Sequence, residues 1–152
     1  MKIFRLFPII LLALAATLPL NGQAGGMNEV TIETRSGPQS WQIELASDDA
    51  SRSKGLMFRE TMAPRSGMLF RFEATRLVSM WMKNTAISLD MIFANAAGQV
   101  THIHRGAVPH SLDIISSNGP VRFVLEVNAG EADYYGIAVG DRFSHPWILP
   151  TN

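Results

Sequence analysis

A chain of 152 residues with 13 basic and 13 acidic side chains and no cysteine cannot form disulfides, thiolate nucleophiles or thiolate metal sites. Without an excess of positive charge it is a poor candidate for nucleic-acid binding. No low-complexity tract or internal repeat interrupts it.

Taken in chain order, the first feature is a basic start at Lys2 and Arg5, then an apolar run over 6–20, then Gly22, Gln23 and Ala24. This is the layout of a secretory signal peptide, with cleavage expected after Ala24. A transmembrane anchor needs about 20 apolar residues, and this run is shorter and carries Pro8 and Pro19. The expectation is a periplasmic or secreted protein with no stable membrane anchor after cleavage. Removing residues 1–24 leaves 128 residues with 11 basic and 13 acidic side chains, a net charge of −2. That length suits a single domain, which buries roughly two thirds of the surface of its unfolded chain.

After a flexible lead-in over 25–28, one domain is expected over 29–148. Val30, Ile32 and Thr34 alternate with polar residues, as do Trp41, Ile43 and Leu45 beyond a Ser36-Gly37-Pro38 break, which predicts a β-hairpin. Ser47 is the expected cap of a short helix carrying Asp48, Asp49 and Ala50, with Gly55 as its stop. Strands are predicted over 68–72, 78–82, 89–94, 100–104 and 121–127, with a Gly98 turn joining two of them. One or two helical turns over 129–135 and a last strand over 142–148 complete the chain. Many short strands with little helix predict an α+β, mainly β domain: a compact barrel-like antiparallel sheet with one or two short helices.

Several stretches then carry a resemblance. They are Gly55-Leu56-Met57-Phe58-Arg59-Glu60, Gly67-Met68-Leu69-Phe70, Trp81-Met82-Lys83-Asn84-Thr85 with Leu89-Asp90, Ile103-His104, Gly119-Pro120-Val121-Arg122 with Val124-Leu125-Glu126, and Gly136-Ile137 with Val139-Gly140-Asp141. In this order they resemble the domain of unknown function 192, also called uncharacterised protein family 0127, from about Glu29 to His145. The resemblance implies a compact, mostly β domain, often exported in bacteria, with no established activity. Two positions depart from the family's habit: Arg105 stands where an acidic residue is common, and Met80 where an aromatic is common.

The densest polar cluster in an apolar setting runs from Trp81 to Asp90. Asp90 opens an otherwise apolar strand and must find partners. Either it accepts hydrogen bonds from backbone N–H groups of the 83–85 turn, or Lys83, Asn84 and Asp90 line one pocket for a polar ligand with Trp81 as a stacking face. Arg59 either pairs with Glu126, which strand alternation places beside Val124, or clamps an anion. Residues 52–83 carry seven basic groups against Glu60 and Glu73, and residues 126–141 carry four acidic groups and no base, a weak pointer to an anion-binding side.

His102 and His104 share one face of a predicted strand, and Met80 and Met82 flank Trp81. Imidazoles with thioethers suit copper, or zinc through the imidazoles, and His110 and Asp113 are further candidate ligands, whereas methionine on a strand is ordinarily core filling. No nucleophile elbow, phosphate loop or His-Glu-x-x-His occurs, and no cofactor is evident. The leading expectation is a non-catalytic or accessory binding module for a small polar or cell-envelope ligand. A hydrolase using Asp90, Glu126 and His104 as general acid and base is one alternative, and a transition-metal binding protein the other.

Overall fold

Period-two alternation of apolar side chains dominates the structure, a computed structural model that describes residues 26–148. The expected signal peptide and its cleavage point lie outside the described residues. Seven strands form one sheet: β1 (Glu29–Thr34), β2 (Gly37–Ala46), β3 (Ser66–Met80), β4 (Leu89–Ala94), β5 (Val100–Ala107), β6 (Ile115–Asn128) and β7 (Arg142–Ser144), with helices α1 (Asp49–Lys54) and α2 (Glu131–Tyr134). The spatial order is β5-β4-β6-β3-β2-β1-β7, an open half-barrel. It matches the expected mainly β domain.

Two apolar clusters cover the two faces. Trp41, Leu69, Ile92, Leu125 and Phe143 lie in one, and Leu56, Phe70, Met82, Met91 and Phe93 in the other. Because successive residues of a strand point to opposite faces, each long strand feeds both. β4 is buried at all six positions, as expected of a strand covered on both sides.

Several predicted elements are redrawn. The sheet is antiparallel except at β2 and β3, which run parallel; the intervening α1 and loop provide the crossover that a parallel pair requires. The predicted strands over 68–72 and 78–82 are parts of one strand, β3, whose register against β6 shifts between Arg71 and Arg76 and between Leu77 and Ser79. The Ser117 hydroxyl closes this irregularity: it accepts from the Val78 N–H at 3.0 Å and donates to the Gly119 carbonyl at 2.6 Å. The cap of α1 is Asp48 rather than Ser47. Its carboxylate accepts from the Ser51 N–H, and the Ser51 hydroxyl answers at the Asp48 N–H, a reciprocal box that Ser47 cannot make from one residue earlier. Gly55 does end α1. The last strand stops at Ser144, where His145 turns the chain by accepting from the Trp147 N–H.

Two glycines are required by geometry. Gly98 has φ +78° in the turn between β4 and β5, a left-handed conformation that favours glycine. Gly67 lets β3 approach β6 so closely that a Cβ there would lie 2.4 Å from the Glu126 carbonyl oxygen.

Candidate ligand-binding cleft

The side chains singled out from sequence part company in the fold. Asp90 is fully buried and accepts from the N–H groups of Gly106 at 2.9 Å, Gly130 at 2.9 Å and Ala132 at 3.0 Å. It does not bond the 83–85 turn, as the sequence had suggested. α2 begins at Gly130, which has no side chain to cap it, and Asp90 does so from β4, where a carboxylate suits the positive end of a helix. Its oxygens are spent on the scaffold, on the sheet face opposite Glu126.

Arg59 does not pair with Glu126 either. Its two terminal nitrogens bind the two oxygens of Glu44, and this guanidinium holds the Glu44 carboxyl below its ordinary range. The pair borders a shallow groove with Gln42, Thr61 and Ser66. Lys83 lies over the Trp81 ring at 5.1 Å. Asn84 takes a left-handed φ of 55° and accepts the Phe58 N–H at 2.8 Å, so its backbone ties two loops together.

Glu126 is the exception. It is 4% exposed, and its neighbours across the ladder are Met68 on β3 and Met91 on β4. Among the described residues no cation and no hydrogen bond acts on its carboxyl, and burial alone pushes it up to about 8. A buried carboxyl without a partner stays protonated, because burying the charge costs more than giving up the ionisation. It faces a cleft of about 280 Å³ whose apolar walls include Leu56, Phe70, Phe72, Met80 and Trp81, with Ser79 and Thr85 also lining it; the Thr85 hydroxyl donates to the Lys83 carbonyl at 3.2 Å.

Three cations line the same cleft. Arg52 is tied down, donating to the Ser47 and Arg71 carbonyls at 2.5 and 3.0 Å and to Asp49. Arg76 stacks on the Phe72 ring at 4.9 Å, with Arg52 at 5.7 Å from the same ring. The ion pairs among the described residues are Arg52 with Asp49, Arg59 with Glu44 and Arg105 with Asp133. Arg76 and Lys54 belong to none of them.

The expected metal ligands do not gather. His102 and His104 lie on β5 and Met80 at the end of β3, with β4 and β6 between those strands; Met82 is fully buried in the apolar cluster. His102 stacks on Phe93 and bonds Asn118. Among the described residues no group of three or more His, Asp, Glu or Cys is placed to hold a metal ion.

The model of DUF192, described as an uncharacterized ACR, matches residues 30–145. The chain belongs to the DUF192 family. Two crystal structures share its fold. A candidate transcription regulator from Sinorhizobium meliloti 1021 is 49% identical, with 76% of this chain and 90% of that one covered and a TM-score of 0.74. A protein of unknown function from Novosphingobium aromaticivorans DSM 12444 is 37% identical, with 76% and 82% covered and a TM-score of 0.74. A search of curated proteins finds no match.

Of the DUF192-like motifs, Gly55-Leu56-Met57 lines the cleft, as do Trp81, Thr85 and Glu126, while Asp90 serves the scaffold. The departure at Met80 falls on the cleft wall; that at Arg105 falls outside it, bonded to Asp133 at 2.7 Å. Sequence reading missed Lys54, Arg76, Phe72 and Thr85 as cleft residues. The basic excess over 52–83 was their one visible signal.

Proposed function

We propose that the protein is an exported, non-catalytic binding module whose ligand site is the Glu126 cleft, taking a small polar or cell-envelope-derived ligand. The observation that carries this reading is the unpartnered Glu126 carboxyl facing the cleft. A buried polar group without a partner costs roughly 1–3 kcal/mol, and a ligand offering an acceptor oxygen relieves that cost. Trp81, 45% exposed at the wall, offers a flat face for a ring.

Binding is favoured over hydrolysis because the carboxylates do not converge. Asp90 faces the other side of the sheet with its oxygens occupied, and His104 lies two strands from Glu126, roughly 10 Å at the usual strand spacing. The export part of the reading rests on the basic start and apolar run before Ala24. No helix among the described residues is long and apolar enough to cross a membrane. The negative mature charge favours a small ligand over nucleic acid.

Thermal shift of residues 25–152 against sugars, peptides and organic acids tests the site. Stabilisation by at least one compound, abolished in Trp81→Ala and Glu126→Leu, is expected. Silence across the panel sinks the reading. Fractionation of cells expressing the full chain tests export, with the shortened protein expected outside the cytoplasm.

A further inference from the structure

The cleft has two ends of different chemistry. Glu126 is 4% exposed, whereas Lys54 and Arg76 are exposed. All three line the same cleft as Arg52, which sets the carboxyl at its floor and the two exposed cations at its mouth. Arg52 is consumed by two carbonyls and Asp49, whereas Lys54 and Arg76 take no part in the ion pairs of the described residues. Stacking on Phe72 holds the Arg76 guanidinium at the wall.

Each class of ligand can be weighed against this arrangement. A cation would meet like charges at the mouth. A purely apolar molecule would fill the walls and leave Glu126 buried without a partner, the costly outcome for a polar group. A neutral polar molecule would satisfy Glu126 and leave the cations unused. An anion long enough to reach the floor satisfies both ends, and guanidinium and ammonium groups are well suited to carboxylate and phosphate oxygens.

We propose that the cleft takes a small extended anion, a carboxylate- or phosphate-bearing molecule. Its charged end is held by Lys54 and Arg76, its body lies along Trp81 and Met80, and its far end offers an acceptor oxygen to the Glu126 carboxyl. This rests on the reading of the cleft as a ligand site and names the class of ligand.

Titration calorimetry at low ionic strength with matched probes tests it: glucose against glucuronate and glucose 6-phosphate, and 4-hydroxyphenylacetamide against 4-hydroxyphenylacetate. The anionic member of at least one series is expected to bind tenfold or more tighter than its neutral counterpart, the phosphate and carboxylate arms telling which anion is preferred. The double variant Lys54→Gln, Arg76→Gln changes two exposed side chains, and circular dichroism checks that it folds. It should erase the tenfold preference. Equal affinity for neutral and anionic members, with binding lost in Glu126→Leu, overturns the anion assignment while leaving the cleft as a ligand site. A preference that survives the double variant overturns it too, and no binding by any probe overturns both readings.

Discussion

Arg59 grips Glu44 with both of its terminal nitrogens, one of them 2.6 Å from its oxygen. Glu44, Met68 and Glu126 stand in one cross-strand row over β2, β3 and β6, so β3 lies between the Arg59–Glu44 pair and the buried carboxyl. The Arg59 side chain is 35% exposed and that of Glu44 55%, and pairs in such water-rich settings are worth about 1 kcal/mol or less. Arg59→Met is therefore expected to cost no more than about 1 kcal/mol in urea unfolding. Carbon-13 NMR should find the Glu126 carboxyl titrating where it did before. A loss of about 3–5 kcal/mol, the range for breaking a buried pair, would place Arg59 on Glu126 after all.

Glu126 also makes stability depend on pH in a definite direction. Its carboxyl is raised from 4.5 to about 8 in the folded protein, so between those values the folded state holds a proton that the unfolded state has released. Stability is fully present below pH 4.5 and falls as pH rises, by about 1.4 kcal/mol per unit, levelling off above pH 8. His102 and His145 are lowered by burial, and their contribution is lost as pH falls below 6.5, the opposite sense. The clean window is pH 6.5–8. There, the urea midpoint should drop steadily, and in Glu126→Met it should stay flat. A wild-type midpoint that does not move would mean that Glu126 ionises without cost.

The buried carboxylate on the other face has a different role. Asp90 ties β4, the end of β5 and the start of α2 through three backbone N–H groups, and bonds to a charged acceptor are worth roughly 1.5–3 kcal/mol each. In Asp90→Asn one oxygen becomes an NH₂ group facing N–H donors. Destabilisation of about 3 kcal/mol or more is expected by chemical denaturation, with affinity for any cleft ligand unchanged in the fraction that remains folded. Loss of affinity with intact stability would move Asp90 into a binding site.

Asp90 and Glu126 mark how far a sequence could be read. Apolar runs over 89–94 and 121–127 between turn residues located β4 and β6, and strand alternation put Glu126 on the face of Val124, because both are local properties. The need of Asp90 for partners was equally plain, but which N–H groups answer it depends on α2 being brought over the β4–β5 end of the sheet, a contact over 40 residues. The cleft was half visible. Trp81 and Glu126 were marked as an aromatic and a charge in apolar surroundings and Met80 as a candidate metal ligand, whereas Lys54 and Arg76 figured only within the basic excess over 52–83. Only the parallel packing of β3 beside β2, with α1 crossing between them, brings those two to one opening. The fusion of two predicted strands into β3 was hidden by the exposed stretch Glu73-Ala74-Thr75-Arg76, which offers no buried face and where the register against β6 shifts.

The close approach of Gly67 to Glu126 yields the last prediction. An added Cβ at Gly67 would lie 2.4 Å from the Glu126 carbonyl oxygen and 3.2 Å from Val127 Cγ1, and the first of these is backbone that cannot swing aside. Relief has to come from separating β3 and β6 at the Gly67–Val127 rung, next to the one that carries Glu126, and such overpacking costs about 1–3 kcal/mol. Gly67→Ala is therefore expected to lower the urea midpoint by that amount. The wider ladder also lets water reach the Glu126 carboxyl, so its titration should move down from about 8 toward the ordinary carboxylate range, read by the same carbon-13 resonance. Reduced stability with an unmoved titration would mean that β3 yields elsewhere along its length, and that the rung at Glu126 is stiffer than its neighbours.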